Sequence, residues 1–187
     1  MVKRCFDIFV SAVTSILVFP LLLFIAIAIK ADSKGPVIFK QKRVGKDNRH
    51  FMIYKFRTMR TDTPDLPTHL LGDPSQYVSR VGRFLRKTSL DELPQLLNII
   101  LGHMSLVGPR PALYNQTDLV ELRTSLDIHR IRPGLTGWAQ INGRDDISDE
   151  EKALFDKYYH EHMSFWFDLK IMFQTFRNVV NAKGVRA

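Results

Sequence analysis

Two adjacent carboxylates, Asp91 and Glu92, follow a basic pair in the run Arg86-Lys87-Thr88-Ser89-Leu90-Asp91-Glu92-Leu93-Pro94-Gln95-Leu96-Leu97-Asn98. A carboxylate at a helix start, surrounded by Arg and Lys, stays ionised and can attack phosphorus or hold a divalent cation. The same run has a purely structural use. Ser89 with Glu92 three residues on fits a capping box, and acids in a first turn favour the helix dipole. Local pattern alone favours the structural account, and the two accounts are compatible. Phosphoryl transfer also needs positive groups against the nonbridging oxygens. Arg86, Arg110 and Arg144 stand within or beside Pro- or Gly-containing motifs and are candidates for a phosphate clamp.

Two of these motifs are Gly108-Pro109-Arg110-Pro111 and the stretch 132–144, which holds Trp138, Gln140 and Asn142. Pro109 and Pro111 restrict the backbone and would aim Arg110 at little entropic cost, while the second motif could present Trp138 or amide groups to a nucleotide base. A structural turn is the competing account of each. No Walker-type phosphate loop is present. Asp145, Asp146, Asp149, Glu150 and Glu151 lack EF-hand spacing, and Ser148 with Glu151 makes a second capping box. His160 and His162 lack zinc-like helical spacing, and there is neither a Ser nucleophile elbow nor a paired-cysteine metal signature.

The elements that must position these residues begin with an apolar segment. Residues 8–29 are 22 residues without a charge, about 33 Å as a helix and long enough to span a bilayer. Lys3 and Arg4 resemble the basic start of a signal peptide, but Asp7 interrupts it and no small-x-small cleavage site precedes Lys30-Ala31-Asp32, so retention is expected. Pro20 removes a backbone donor near the middle and predicts a kink or break into two half-helices. Lys3 and Arg4 flank one end and Lys30 and Lys34 the other. The positive-inside rule therefore separates neither end, leaving a hairpin that dips in and returns, or a kinked spanning helix.

Beyond Gly35-Pro36, residues 37–39 and 51–54 read as two short strands around a basic connection carrying Lys40, Lys42, Arg43, Lys46 and Arg49, which either contacts lipid headgroups or is simply solvated. Residues 61–75 read as a surface loop. Helices are expected over 78–86, 93–101 with Gly102 as stop, 115–126 and 149–163. Residues 165–180 form a last amphipathic helix, either lying in the headgroup plane or facing the core. The whole of 187 residues carries 27 Lys and Arg against 19 Asp and Glu, a net +8 that suits a phosphate-rich partner without choosing among nucleic acid, nucleotide and anionic leaflet. Its one cysteine, Cys5, allows no intrachain disulfide and suits a reducing compartment.

Taken together, Tyr54-Lys55-Phe56-Arg57-Thr58-Met59, Ser89-Leu90-Asp91-Glu92-Leu93-Pro94-Gln95, Met104-Ser105-Leu106-Val107-Gly108-Pro109-Arg110-Pro111 and the stretch 132–144 resemble the bacterial sugar transferases called monotopic phosphoglycosyltransferases. The resemblance runs from the membrane segment through Tyr158-Tyr159 to Asp168-Leu169-Lys170-Ile171-Met172, in the family's order, and is to the minimal single-domain form. It implies a mostly α fold with a small β-hairpin. Residues 1–34 would be a re-entrant membrane helix-break-helix bent at Pro20, and 35–187 a compact catalytic domain with interfacial amphipathic helices at the cytoplasmic face of the bacterial inner membrane. Many relatives carry Ser before the bend proline, where this chain has Phe19.

The implied reaction moves a sugar phosphate from a UDP-sugar to polyprenyl (undecaprenyl) phosphate and releases UMP, the first membrane step of glycan assembly. Asp91 would form a phosphosugar-enzyme intermediate, and Asp91 with Glu92 would hold Mg²⁺. Arg86, Arg110 and Arg144 would contact phosphate, with Pro109, Pro111, Gln140 and Asn142 at the nucleotide site. The expected partners are the two substrates and membrane lipid, with no nucleic acid and room for a homodimer. The rival reading is a non-enzymatic, membrane-tethered basic binding or scaffold protein, in which Asp91 is dispensable.

Overall fold

The computed structural model describes residues 2–63, 74–143 and 147–180. Most of them are helical, with a small antiparallel hairpin and one long apolar helix at the N-terminus. That helix, α1 (Val2–Asp32), is continuous through Pro20. The expected break into two half-helices is therefore corrected: proline removes one donor and crowds one carbonyl, and the bonds on either side keep the helix going.

Both ends of α1 are fastened to one body. At the start, Arg4 donates to the carbonyls of Ile99 and Ile100 at 2.7 and 3.1 Å. The buried Asp7 accepts from Ser105 Oγ at 2.7 Å and from the Leu106 amide at 3.3 Å. Lys3 pairs with Asp168, which also accepts from the Tyr159 hydroxyl at 2.7 Å. At the far end, Ile25 and Ile29 bury against Phe56 and Leu85. Asp32 accepts from the Val81 amide at 3.1 Å, and Arg57 donates to the carbonyls of Ser33 and Lys34. Between these anchors the helix is bare, with Ile16 and Leu17 74% and 75% exposed and Phe19 and Phe24 also exposed. At ~100° per residue, Pro20 lies on the face turned away from that of Asp7 and Ile25. The clash of its ring with the Ile16 carbonyl thus opens the outer side of the helix.

Strands β1 (Ile38–Val44) and β2 (His50–Phe56) pair antiparallel from Ile38 opposite Phe56 to Val44 opposite His50. Both are longer than expected. Lys40, Lys42 and Arg43 belong to β1 rather than to a connection, because cations spaced along a strand with one solvated face look like a loop when the register is unknown. Only the 3-10 turn Lys46–Asn48 joins the strands.

Helix α2 (Arg80–Thr88) starts where Ser79 Oγ accepts from the Gly82 amide at 3.0 Å. A 3-10 turn over Leu90–Glu92 leads to the short α3 (Gln95–Ile100), whose last carbonyls accept from Arg4, while Arg132 donates to the Gly102 carbonyl just beyond it at 2.9 Å. Strands β3 (Ser105–Val107) and β4 (Gly134–Thr136) form a parallel pair that the proline- and glycine-rich motifs concealed. They are close-packed: a Cβ on Gly134 would meet the Gly108 nitrogen at 2.1 Å and the Thr136 oxygen at 2.3 Å. Gly134→Ala is expected to cost about 1–3 kcal/mol, read as a lowered Tm in thermal unfolding, because backbone cannot yield as a side chain can.

The remaining helices are α4 (Thr117–Ser125), α5 (Trp138–Asn142), α6 (Asp149–Glu161) and α7 (Phe165–Val180). The Ser148–Glu151 capping box forms as expected. In α7 the core-facing reading holds for one face, and the opposite face is exposed. Ile171 is fully buried in the core beside Phe51, Ile53, Ile99 and Tyr159, while Trp166, Phe173 and Phe176 form an exposed aromatic face.

Candidate active site

The turn carrying Asp91 and Glu92 is set by Ser89, which takes a left-handed conformation (φ 56°) and reverses the chain after α2. Leu90 then plugs into the apolar cluster of Leu85, Ile25 and Ile29, so the two carboxylates stand beside the C-terminal limb of α1. The expected capping box is absent here: Ser89 makes no side-chain cap bond, and the Glu92 carboxylate is turned to Lys55 at 2.7 Å and Arg110 at 3.2 Å. Two charge-assisted contacts in a half-buried site outweigh one bond to a backbone amide.

Lys55 reaches Glu92 because β2 is fixed in register against α3. Fully buried Asn98 donates to the Met52 carbonyl at 2.7 Å and accepts from the Tyr54 amide at 3.0 Å. Burial alone would raise the Glu92 carboxyl, but Arg110 and Lys55 overturn that and hold it down to about 2. Asp91 is pushed up from its ordinary range, first by burial and then by the charge of Glu92, with Lys55 and Arg86 opposing. Among the described residues no side chain donates to Asp91, whereas Glu92 is clamped. Among the described residues the pair is thus unequal: Glu92 is locked by two cations, while Asp91 meets its own backbone amide and the charges of Lys55 and Arg86 without an ion pair.

Cations complete the site. Arg86 donates to Thr58 Oγ1 at 3.0 Å; burial lowers it, and the charge of Asp91 works against that shift. Arg43 is lowered to about 10 by burial and by Arg110, with Glu92 opposing. The Pro109-Arg110-Pro111 turn is held by arginines on both sides: Arg43 donates to the Pro111 carbonyl at 3.0 Å, and Arg123 to the Arg110 carbonyl at 2.8 Å. Arg123 is itself fixed by buried Asp156 at 2.6 Å. A small cleft opens between this turn, Val44 and His129.

The structure therefore brings Asp91, Glu92, Arg86, Arg110, Pro109 and Pro111 into one neighbourhood. Gln140 and Asn142 are engaged elsewhere, donating to the carbonyls of Leu135 and Trp138 at 3.1 and 2.7 Å and holding the short α5 in place. Trp138 stacks on Tyr158 at 5.8 Å. Arg144 lies outside the described residues, as does most of the expected 61–75 loop. Sequence reasoning gave no active-site role to Lys55, Arg43, Asn98 or the Arg123–Asp156 pair. Only Lys55 had a local signal, as a charge near the end of a largely apolar strand.

A family model described as bacterial sugar transferase matches residues 1–182. The chain is 43% identical to the uncharacterized sugar transferase EpsL of Bacillus subtilis, over 98% of this chain and 90% of that one. It is 41% identical to the UDP-glucose:undecaprenyl-phosphate glucose-1-phosphate transferase of Escherichia coli, over 97% of this chain and 41% of the relative. It is also 40% identical to the UDP-N-acetylgalactosamine-undecaprenyl-phosphate N-acetylgalactosaminephosphotransferase of Aeromonas hydrophila, over 99% and 45%. The chain thus spans less than half the length of the two relatives named by reaction.

Proposed function

The chain belongs to the bacterial sugar transferase family, and from that premise we propose that it transfers a sugar phosphate from a UDP-sugar to undecaprenyl phosphate, releasing UMP. The observation that carries the chemistry is the asymmetry of the carboxylates. Glu92 is immobilised by Lys55 and Arg110, while Asp91, beside Arg86, forms no ion pair among the described residues. In the first step an Asp91 carboxylate oxygen attacks the sugar-bearing phosphorus, the bond to the bridging oxygen breaks, and UMP leaves with that electron pair. In the second, an oxygen of undecaprenyl phosphate attacks the same phosphorus and the Asp91 carboxylate departs unchanged. Arg86 and Arg110 neutralise nonbridging oxygens during both displacements.

Asp91 and Glu92 fit a magnesium ion. Among the described residues no three metal-ligating side chains gather, so those residues offer two adjacent carboxylates, with further places in the shell open to phosphate and water. A bound ion would polarise the phosphoryl group and relieve the repulsion that lifts Asp91. UMP release from a panel of UDP-sugars with undecaprenyl phosphate, with and without Mg²⁺, tests the reading: release without the lipid phosphate acceptor in stoichiometric burst, and turnover only with it, is the expected result. A protein that binds nucleic acid in a salt-sensitive way and releases no UMP would belong to the rival class.

The membrane part follows from the same proposal. Residues 1–34 form a re-entrant membrane element, a single helix unbroken at Pro20 whose two ends return to the same side, and 35–187 form the catalytic domain on the cytoplasmic side of the inner membrane. Support comes from the fastening of both ends of α1 to one body around a bare apolar middle, since a spanning helix would part its ends by the bilayer thickness. Cys5 is exposed and reports one end; Lys34→Cys in a Cys5→Ser background reports the other. A membrane-impermeant maleimide is expected to modify both from the same side, and modification from opposite sides would sink the re-entrant placement.

A further inference from the structure

A second concentration of positive charge lies away from Asp91, at the N-terminal limb of α1. A cleft of about 220 Å³ is lined there by Lys3, Arg4, Lys46, Arg130 and Arg132, with Asp7 the one carboxylate in its wall. Asp7 accepts from Ser105 and the Leu106 amide, neutral donors that leave its charge to offset Arg4 in part. Lys3 is paired with Asp168 and Arg130 with Asp127. Arg4 and Arg132 hydrogen-bond to neutral carbonyls at and just past the α3 terminus, and neither they nor Lys46 form a salt bridge among the described residues, so positive charge remains in excess once Asp7 is counted. Three cations against the single charge of Asp7 leave an excess of positive charge around one opening, which suits an anion.

The surroundings say which kind. Met163 lines the same cleft, and the chain then enters α7 through Phe165 and Trp166, the latter 77% exposed. Phe165 meets Phe6 of α1 edge-on at 5.1 Å, beside the point where the apolar helix leaves the domain. Tryptophan and phenylalanine next to lysine and arginine are the residues of a bilayer's headgroup zone. We propose that this cleft binds the phosphodiester headgroup of an anionic phospholipid, separately from the phosphates handled at Asp91, and so fixes the N-terminal limb at the membrane surface. The inference rests on the membrane placement proposed above and not on the transfer chemistry.

The test uses the full chain in lipid nanodiscs of phosphatidylcholine containing a photoactivatable phosphatidylglycerol, with cross-linked peptides mapped by mass spectrometry. Labelling is expected at Lys46 and over residues 128–133. The Lys46→Glu/Arg130→Glu double variant, at two exposed positions, should reduce it roughly ten-fold. Lys46→Gln/Arg130→Gln should give a smaller loss and guards against misfolding by charge reversal. Equal labelling by a phosphatidylcholine probe, or labelling indifferent to both variants, would overturn the proposal. Full protection by excess inorganic phosphate would also overturn it, by assigning the cleft to a soluble anion. Retention of the chain in the bilayer without charge-selective labelling defeats this inference alone; failure of the chain to enter the bilayer defeats the membrane placement with it.

Discussion

Asp91→Asn is expected to lower UMP release by roughly a thousand-fold or more and to remove any phosphosugar label from the protein. The neighbourhood predicts the size of the effect. Glu92 is tied to Lys55 and Arg110 and held near a pKa of about 2, so it is an anchored anion unable to swing into Asp91's place. An amide at position 91 keeps the shape of the side chain but is no nucleophile. Incubation with a UDP-sugar radiolabelled in the sugar-linked phosphate, without lipid acceptor, should place a hydroxylamine-sensitive label on Asp91 of the wild type. The label should be chased into lipid when undecaprenyl phosphate is added. Full turnover by Asp91→Asn, or a label recovered on Glu92, would show that the roles of the two carboxylates are assigned wrongly.

The second large effect is expected far from the reacting atoms. Asp156 is buried, 1% exposed, and it neutralises Arg123, which in turn supports the Arg110 carbonyl. Removing one partner of a buried ion pair leaves the other uncompensated, so Asp156→Ala should cost about 3–5 kcal/mol. For a chain of this size that corresponds to a fall in Tm of roughly 10 °C. Turnover should fall too, because Arg110 loses the support that aims it at Glu92 and at phosphate. The double change Asp156→Leu/Arg123→Leu separates the two consequences. It removes both charges together and should recover much of the Tm, since apolar replacement of a buried pair is often nearly neutral. It does not restore the bond to the Arg110 carbonyl, so activity should stay low. Recovery of both would make the pair a matter of stability alone.

Features that depend on neighbours in the chain were legible before any coordinates. The uncharged length of 8–29, the capping box at Ser148 and Glu151, the two faces of α7 and the adjacent carboxylates at Asp91 and Glu92 are all local patterns of charge and period. Family membership was legible for the same reason, since the motifs that carry it are short and contiguous.

Misreadings came where partners are distant. Ser89 with Glu92 matched a capping box by spacing, but Lys55 and Arg110, 37 and 18 residues away, compete for that carboxylate and win. The cations of β1 looked like a loop until their register against β2 was known. The parallel pairing of β3 with β4 joins residues almost thirty apart through backbone contacts that only glycines at 108 and 134 permit. The continuity of α1 through Pro20 likewise lay beyond a local rule, because docking at both ends decides how the helix runs. The sequence by itself thus determined which groups can do the chemistry and that an apolar helix accompanies them. Tertiary structure alone decided which carboxylate is clamped by cations and which forms no ion pair among the described residues, because that depends on long-range electrostatic competition in a half-buried site, where distance and desolvation outweigh spacing along the chain.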